Sequence, residues 1–315
     1  MNPAFILMKL RDLDDSESRL GSVRLCDILP GMPSAGFSTL VAYMEQLREI
    51  HGLRVSVVRF RGAHNDDISI SDLNIVAYGR KSLVMLRRSR STVLKICLPA
   101  DAGTEREIHS ASDYHPNLRQ LLNWGTVDVG NREGVFQFLE LDGFGEPFRA
   151  KHVSDLASTE MMWNQAFEGL RHLHRKSILH RDVKPDNMLV FKGNVLKIND
   201  YDISCFKTDR QELRRKVGTR GYHSPSSSMQ PYKEEDDILS LALAFYSAKL
   251  GIKKSSRTGR LQILRCCLDP HLFPACMRMA VEDALRKLGL DQEQNDEDNE
   301  DEENEDEDED DDEEG

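Results

Sequence analysis

The chain has 315 residues, of which 39% are hydrophobic and 30% charged, so it is long enough to bury a core in one or two domains. Its formal net charge of −12 comes from one end, because residues 291–315 hold 19 of the 54 acidic residues and no lysine or arginine. The 42 basic residues elsewhere outnumber the other 35 acidic ones and give residues 1–290 a charge of +7.

The composition also excludes several classes of protein. The six cysteines show no CxxC pair or Cys/His metal spacing, which indicates free thiols in a reducing compartment. The first apolar run is shorter than a signal-peptide core, and the longest, Ile238–Leu250, is too short to span a bilayer. We therefore expect a soluble protein of the cytoplasm, the nucleus or both, without a membrane partner. The basic body raises nucleic acid as a partner, but no aromatic-interleaved basic motif supports it.

Residues 1–71 are interpreted as an N-terminal extension, a small α/β element of unknown role that packs against the next part of the chain. Strand patterns at Ala4–Leu10 and Arg54–Phe60 flank a helical pattern at Ser38–Ile50. Nothing in this part of the sequence indicates a reaction or a ligand.

Five strand patterns and an amphipathic helix come after the extension. The first two strands flank Gly79, and the third places Lys95 between apolar neighbours. The helix, Glu160–Arg175, carries its apolar residues on one face. The predicted strands are Leu73–Tyr78, Ser82–Arg87, Thr92–Leu98, Leu121–Val127 and Val135–Leu141.

The most informative stretch runs from Ile178 to Asp202. Two apolar runs, Met188–Val190 and Val195–Ile198, are joined by a Lys-Gly-Asn turn and predict a hairpin. A polar loop precedes the hairpin and Asp200 comes after it, and such a set of side chains suits a reaction site better than a core. The polar loop residues are His180, Arg181, Asp182, Lys184 and Asn187.

The loop HRDVKPDN at residues 180–187, followed by the triplet at 200–202, resembles the catalytic loop and metal-binding segment of eukaryotic protein kinases. The resemblance implies an α+β, two-lobed protein-kinase-like fold, with a small β-rich N-lobe and a mainly helical C-lobe. It assigns the kinase-like domain to residues 72–290, with the N-lobe at 72–138 and the C-lobe at 142–290.

By this resemblance, the loop transfers the γ-phosphate of ATP with the help of Mg²⁺, since phosphoryl transfer needs charge neutralisation and alignment. Asp182 orients the substrate hydroxyl and accepts its proton, while Lys184 neutralises the γ-phosphate and indicates the Ser/Thr class. Asn187 and Asp200 hold magnesium, which prefers oxygen ligands. Thr219, in a VGTRGYHSPS string that resembles the end of an activation segment, contacts Asp182 and Lys184.

The resemblance also assigns residues to ATP binding. Gly79 is the first glycine of the loop that covers the phosphates, and Lys95 grips the α- and β-phosphates. The partner of Lys95 is Glu105 or Glu107, because the spacing to the HPN string at 115–117 differs by one residue either way. We prefer Glu107, since the residues next to it match the sequence pattern that is commoner in the family.

The strand that ends at Leu141 runs into a glycine-rich turn and resembles the hinge between the lobes. This implies that Leu139 borders the adenine pocket. It also implies that the backbone of Glu140 and Leu141 bonds to the edge of the base.

Three features depart from the family pattern. Lys81 and Val84 stand in place of two glycines of the glycine-rich loop. Asp202 replaces a glycine and is either a turn-compatible substitute or a second carboxylate near the metal. Ser226 replaces a glutamate whose ion pair braces the C-lobe.

Two further expectations concern the segments that flank the loop. A phosphate on Ser204 or Thr208 is expected to pair with Arg181 and order the activation segment. Asp237 is expected to cap a buried helix that ends at Gly251, and to brace the catalytic loop.

Three functions fit these residues. The first is a Ser/Thr protein kinase that uses Mg-ATP on an unidentified protein substrate. The second is a pseudokinase, a nucleotide-binding scaffold, which the departures favour and the retained charged residues oppose. The third is a small-molecule kinase, which the activation segment disfavours.

Residues 291–315 form an acidic tail that cannot bury a core, so we expect it to be disordered. Its composition fits a solubilising tail, a lure for a basic partner, or an intramolecular cover for the basic body. The sequence leaves all three open.

Overall fold

The computed structural model describes residues 58–63, 67–68, 72–78, 82–97, 99–129, 132–226, 230–253 and 256–291. Four predictions lie outside the described residues. They concern the strand Ala4–Leu10, the helix Ser38–Ile50, Gly79 with its loop, and the acidic tail from residue 292 onward.

The first lobe is a seven-stranded antiparallel sheet. The strands are β1 Val58–Gly62, β2 Asp67–Ile68, β3 Leu73–Tyr78, β4 Ser82–Arg87, β5 Thr92–Cys97, β6 Leu121–Val129 and β7 Arg132–Leu141. Their order across the sheet is β2-β1-β6-β7-β5-β4-β3. The five strands predicted after residue 72 are confirmed, with small differences at their ends.

Strands β1 and β2, at the end of the N-terminal extension, form one edge of this sheet. β1 pairs with β6 from Val58 opposite Val129 to Gly62 opposite Gly125. Only glycine fits at position 125, because a Cβ atom there would lie 2.0 Å from the carbonyl oxygen of Arg61. The extension therefore joins the lobe through backbone hydrogen bonds.

One face of the sheet is buried, as side-chain alternation along β4 shows. Leu83 and Met85 are buried in this strand, whereas Ser82, Val84 and Leu86, which alternate with them, are partly exposed. They belong to one apolar cluster with Phe60 and Phe138, whose rings meet edge to face at 5.7 Å. Helix α1, Pro99–Ser112, packs against β6 and β7.

The second lobe is built on four helices around one apolar core. Helix α2 begins earlier than predicted because Asp155 caps it and accepts a 2.7 Å hydrogen bond from Ser158 N. Helix α3 is buried nearly all round, as predicted, and ends at Gly251, whose φ of 68° is left-handed. The helices are α2 Leu156–Arg175, α3 Glu234–Leu250, α4 Arg257–Cys266 and α5 Ala275–Lys287.

Short strands place the polar loop between the two lobes. β10, Met188–Phe191, and β11, Val195–Ile198, form the predicted hairpin, with left-handed Gly193 and Asn194 in its turn. β8, Glu146–Pro147, pairs with β10, and β9, Ile178–Leu179, pairs with β12, Cys205–Phe206. The two lobes confirm the predicted α+β architecture.

Among the described helices, none combines the length and the apolar character needed to cross a membrane.

Candidate active site

Four side chains of the predicted catalytic set meet at Asp182. Its Oδ1 accepts a 2.7 Å hydrogen bond from Thr219 Oγ1, and its Oδ2 lies 2.8 Å from Lys184 Nζ. Asn187 Nδ2 also donates to Oδ2 at 2.9 Å, and Lys184 Nζ donates to Thr219 Oγ1 at 2.6 Å. The structure therefore brings Asp182, Lys184, Asn187 and Thr219 together, while their roles in a reaction stay predictions.

Gly218 allows the activation segment to approach the catalytic loop. Its φ is 107°, and a Cβ atom would lie 2.6 Å from the carbonyl oxygen of Arg181. A larger residue would push the two segments apart, and the hydroxyl of Thr219, the next residue, would leave Asp182.

Asp237 of α3 binds the backbone of the catalytic loop. Its carboxylate is fully buried in α3 and accepts four hydrogen bonds. Burial opposes ionisation, but the hydrogen bond and charge of His174 and the loop amides lower the pKa of Asp237. The predicted brace is confirmed and the predicted cap is wrong, because Lys233 is the N-cap residue and Asp237 lies in the first turn. The four donors are His180 N, Arg181 N, Tyr232 Oη and His174 Nε2, at 2.9, 2.9, 3.0 and 2.8 Å.

A second cluster surrounds Lys95 on β5. Its Nζ lies 2.9 Å from Glu105 Oε2 on α1 and 2.5 Å from Asp200 Oδ1, which follows β11. Burial opposes the charged amine, but the charges of Glu105 and Asp200 raise the pKa of Lys95 well above its ordinary value. Burial likewise opposes ionisation of Asp200, yet Lys95 lowers the pKa of that carboxyl. Lys95 therefore stays cationic and links the two lobes.

The preference for Glu107 as the partner of Lys95 is wrong. Glu107 is exposed, whereas Glu105 is 1% exposed and paired with the lysine. Two residues along a helix are about 200° apart around its axis, so only one of these glutamates faces the sheet.

Asn187 and Asp200 fit the predicted magnesium ion. The amide nitrogen of Asn187 donates to the backbone and side-chain oxygens of Asp182, both at 2.9 Å, which leaves its carbonyl oxygen as a ligand. The described part of the chain contains no group of three or more His, Cys, Asp or Glu residues that would hold a metal alone. A set of one carboxylate and one amide suits Mg²⁺, which proteins hold through few side chains together with substrate phosphates.

The predicted hinge residues lie at the end of β7. Leu139 is fully buried, and β5 and β6 pair with β7 on both sides as far as Leu141. The buried Glu140 carboxylate accepts hydrogen bonds from Arg87 Nη1 at 3.1 Å and Thr92 Oγ1 at 2.6 Å. Contact between these residues and a nucleotide base stays a prediction.

Sequence reasoning missed Asp142, the first residue after β7. Its carboxylate accepts a 2.8 Å hydrogen bond from Gln120 N, lies 3.3 Å from Arg119 Nε and contacts Lys197 Nζ on β11. These contacts connect the end of the sheet with the hairpin of the second lobe. An Asp-Gly pair after an apolar strand predicts only a turn, so the sequence held no signal for the ion pairs.

Arg181 is already paired within the activation segment. Its buried guanidinium lies 3.2 Å from Glu212 Oε2, and three backbone oxygens accept its other hydrogen bonds. Glu212 therefore forms the ion pair with Arg181 that was predicted for a phosphate on Ser204 or Thr208. The backbone acceptors are Glu212 O at 2.6 Å, Arg215 O at 3.0 Å and Ile203 O at 3.2 Å.

The two phosphorylation sites considered from the sequence differ in exposure. Ser204 is buried and its hydroxyl donates to His180 O at 3.0 Å, so the folded protein does not offer it to a kinase. Thr208 is exposed and stays a prediction.

Ser226 makes a different contact from the glutamate that it replaces. Its buried hydroxyl donates to Asp236 at the start of α3. Burial raises the pKa of Asp236 above its ordinary value, although hydrogen bonds from Ser224 and Ser226 act in the opposite direction. A buried hydrogen bond thus joins the activation segment to α3, at the position where the family has a glutamate that forms an ion pair.

His109 on α1 lies behind the Lys95 cluster. Its Nε2 is 4.0 Å from Glu105 Oε1, and its ring meets Tyr201 edge to face at 4.7 Å. Burial lowers the pKa of His109 to about 3, and the charges of Lys95 and Arg119 act in the same direction. The folded protein therefore holds this histidine neutral at physiological pH.

Comparisons with known proteins identify the family that the chain resembles. A family profile described as protein kinase domain matches residues 81–271. Aurora kinase of Candida glabrata is 26% identical over 208 residues, which cover 63% of this chain and 56% of that protein. Serine/threonine-protein kinase GRIK2 of Arabidopsis thaliana is 30% identical over 125 residues, which cover 35% of this chain and 28% of that protein.

Among solved structures, the CAK complex from Chaetomium thermophilum bound to ATP-gamma-S matches with a TM-score of 0.49 and 19% sequence identity. The match covers 61% of this chain and 66% of that one. The chain spans about half the length of the Aurora kinase that it matches.

We expect Asp237→Asn to lower the free energy of unfolding by about 3–5 kcal/mol, since it removes the one charged acceptor of four buried donors. Urea unfolding measures this loss. The control is Asp283→Asn in a surface ion pair with Arg286 and Lys287, which should cost at most about 1 kcal/mol. Equal losses in the two variants would contradict the role of Asp237.

Because His109 is buried and neutral, we expect the free energy of unfolding to decrease as the pH falls below about 6.5, before ordinary carboxyl groups begin to titrate. Its pKa is about 3 in the folded protein and roughly 6.5 in the unfolded chain, so below that upper value only the unfolded state binds the proton. The loss reaches on the order of 3 kcal/mol at pH ~4.5 and levels off near pH 3.

Urea unfolding of the wild type and His109→Leu at several pH values tests this prediction. The variant should show a flatter pH dependence, whereas exposed His271→Leu should keep the wild-type slope. An unchanged slope in His109→Leu would mean that other groups cause the acid sensitivity.

Proposed function

We propose that this chain, which belongs to the eukaryotic protein kinase superfamily, is an active Ser/Thr protein kinase that transfers the γ-phosphate of ATP to a protein hydroxyl. The observation that carries the proposal is the assembled Asp182 cluster. A carboxylate, a lysine, an amide and a threonine hydroxyl are joined by contacts of 2.9 Å or less. A scaffold has no chemical need for this arrangement.

In this proposal, Asp182 acts as the base. It orients the substrate hydroxyl and accepts its proton as the oxygen attacks the γ-phosphorus, and ADP leaves. Lys184 neutralises charge on the transferred phosphoryl group. Thr219 keeps both side chains in place, because its hydroxyl donates to Asp182 and accepts from Lys184.

The nucleotide side of the site is supported by the second cluster. Lys95 would bind the α- and β-phosphates while Glu105 fixes the direction of its side chain. Asn187 and Asp200 would hold Mg²⁺, which neutralises the phosphate oxygens when it is bound. Lys95 lies between two carboxylates, so the cluster carries an excess negative charge that a cation would balance.

The Ser/Thr class rests on Lys184 and its hydrogen bond to Thr219. The alternative is a nucleotide-binding scaffold, which the bulkier residues of the glycine-rich loop favour. Transfer and binding of ATP separate the two functions.

The test is transfer of labelled γ-phosphate by the full chain, with Mg²⁺, to itself and to a generic acceptor protein. We expect labelled serine or threonine with the wild type. Asp182→Asn should lower the rate by about 10²–10⁴-fold, the usual contribution of a general base. Asp200→Asn should reduce transfer to background, because it removes a metal ligand.

Asp186→Asn is the matched control, because this exposed aspartate lies in the same loop and, among the described residues, forms an ion pair only with Arg149 at the surface. It should retain the wild-type rate. Wild-type protein that binds Mg-ATP without transferring phosphate would establish the scaffold instead. Transfer that persists in Asp182→Asn would remove the assigned base.

A further inference from the structure

Exposed cations without a carboxylate partner line the activation segment. Arg214, Lys216 and Arg220 are exposed, and none makes an ion pair with another described residue. The carboxylate of Glu212, inside the same segment, is taken by Arg181 at 3.2 Å and by Arg215 at 2.7 Å. Glu212 therefore does not neutralise Arg214, Lys216 or Arg220, and these three cations face solvent.

Lys253, in the loop after α3, adds to this charge. Its stem lies against Gly221, where a Cβ atom would be 2.4 Å from Cε, and its Nζ is 5.0 Å from the centre of the Tyr222 ring. We call Arg214, Arg215, Lys216, Arg220 and Lys253 the basic cluster. Four of its members lie within five residues of Thr219 in the chain, and Lys253 contacts Gly221 and Tyr222 just after it. Thr219 donates to Asp182, so a chain bound to the cluster lies next to the segment that reaches the candidate active site.

A series of contacts connects helix α5, which precedes the acidic tail, with this cluster. The described residues end at Asp291, one turn beyond α5, and Lys287 Nζ of α5 lies 3.5 Å from Glu235 Oε1 in the first turn of α3. Just before that turn, Tyr232 N donates to Leu213 O at 2.9 Å. The residue next to Leu213 is Arg214, so two contacts separate the origin of the tail from the cluster.

We propose that the tail, residues 292–315, binds the basic cluster of its own chain. Of its 24 residues 18 are acidic and none is basic, so its charge is opposite to that of the cluster. An extended chain of this length reaches about 80 Å, at roughly 3.3–3.6 Å per residue, which exceeds the dimensions of a domain of this size. Because the tail is covalently attached, its effective concentration at the cluster is on the order of millimolar.

If the chain is a protein kinase, as proposed above, the bound tail affects which substrates it accepts. The bound tail occupies the surface beside Asp182 and competes with any acidic acceptor peptide for the same cations. The contact is electrostatic between exposed groups, so salt weakens it: the screening length falls from ~30 Å at 0.01 M to ~3 Å at 1 M.

Zero-length carbodiimide cross-linking of the full chain tests the contact without reference to catalysis. The reagent joins lysine amines to carboxylates, and mass spectrometry locates the links. We expect links from the tail to Lys216 and Lys253, lost at 1 M salt. Lys192, an exposed lysine in the turn between β10 and β11, serves as the internal control and should give few links.

Charge reversal makes the test decisive. The double variant Arg214→Glu with Lys216→Glu should abolish links from the tail to Lys253, whereas Lys192→Glu should leave them unchanged. Links spread evenly over Lys192 and the cluster would overturn the proposal. So would links that form only between chains, which a mixture of isotope-labelled and unlabelled protein detects.

A competition measurement gives an independent readout. A fluorescent peptide with the tail sequence is titrated with the full chain and with a full-length variant whose tail Asp and Glu residues are changed to Asn and Gln. We expect the variant to bind the peptide about tenfold more tightly or better, because its own tail no longer competes. Equal affinities would overturn the proposal that the tail binds the cluster, even if the chain transfers phosphate as expected. The measurement therefore fails independently of the proposed kinase activity.

Discussion

A largely buried lysine between carboxylates of two lobes is the constraint on which the site depends. Lys95 belongs to the sheet, Glu105 to the helix packed against it, and Asp200 to the segment after the hairpin of the other lobe. A buried charge is costly unless it is paired, so the lobes must keep these three groups in contact. This requirement, together with the contacts of Asp142 to Arg119 and Lys197, fixes the relative position of the lobes.

The catalytic loop has a comparable support in Asp237. Arg181 and Asp200 both adopt left-handed backbone, with φ of 70°, a conformation that needs compensating contacts in residues other than glycine. The amide of Arg181 is fixed by Asp237 and its guanidinium by Glu212, while the carboxylate of Asp200 is fixed by Lys95. Hydrogen bonds and charge therefore hold the loop, together with the apolar packing of buried Val183.

Much of the site was predictable from the sequence because its residues lie in short strings whose order fixes their chemistry. Asp182, Lys184 and Asn187 share one loop, and Thr219 stands in a recognisable segment. Glu105 was not separable from Glu107, because the phase of α1 on the sheet is set by tertiary packing. The same holds for Glu212 opposite Arg181. It also holds for β1, whose pairing with β6 joins residues about seventy positions apart through backbone hydrogen bonds.

The measurement that tests this account most directly is the rate of γ-phosphate transfer from Mg-ATP by Glu105→Gln and Glu107→Gln. Both substitutions lie on one helix and remove one charge, but only Glu105 contacts Lys95. The account predicts that Glu105→Gln lowers the rate by about 10²-fold, the order of loss for a displaced binding group, and that Glu107→Gln stays near the wild type. Equal rates in both variants, or a loss confined to Glu107→Gln, would contradict it.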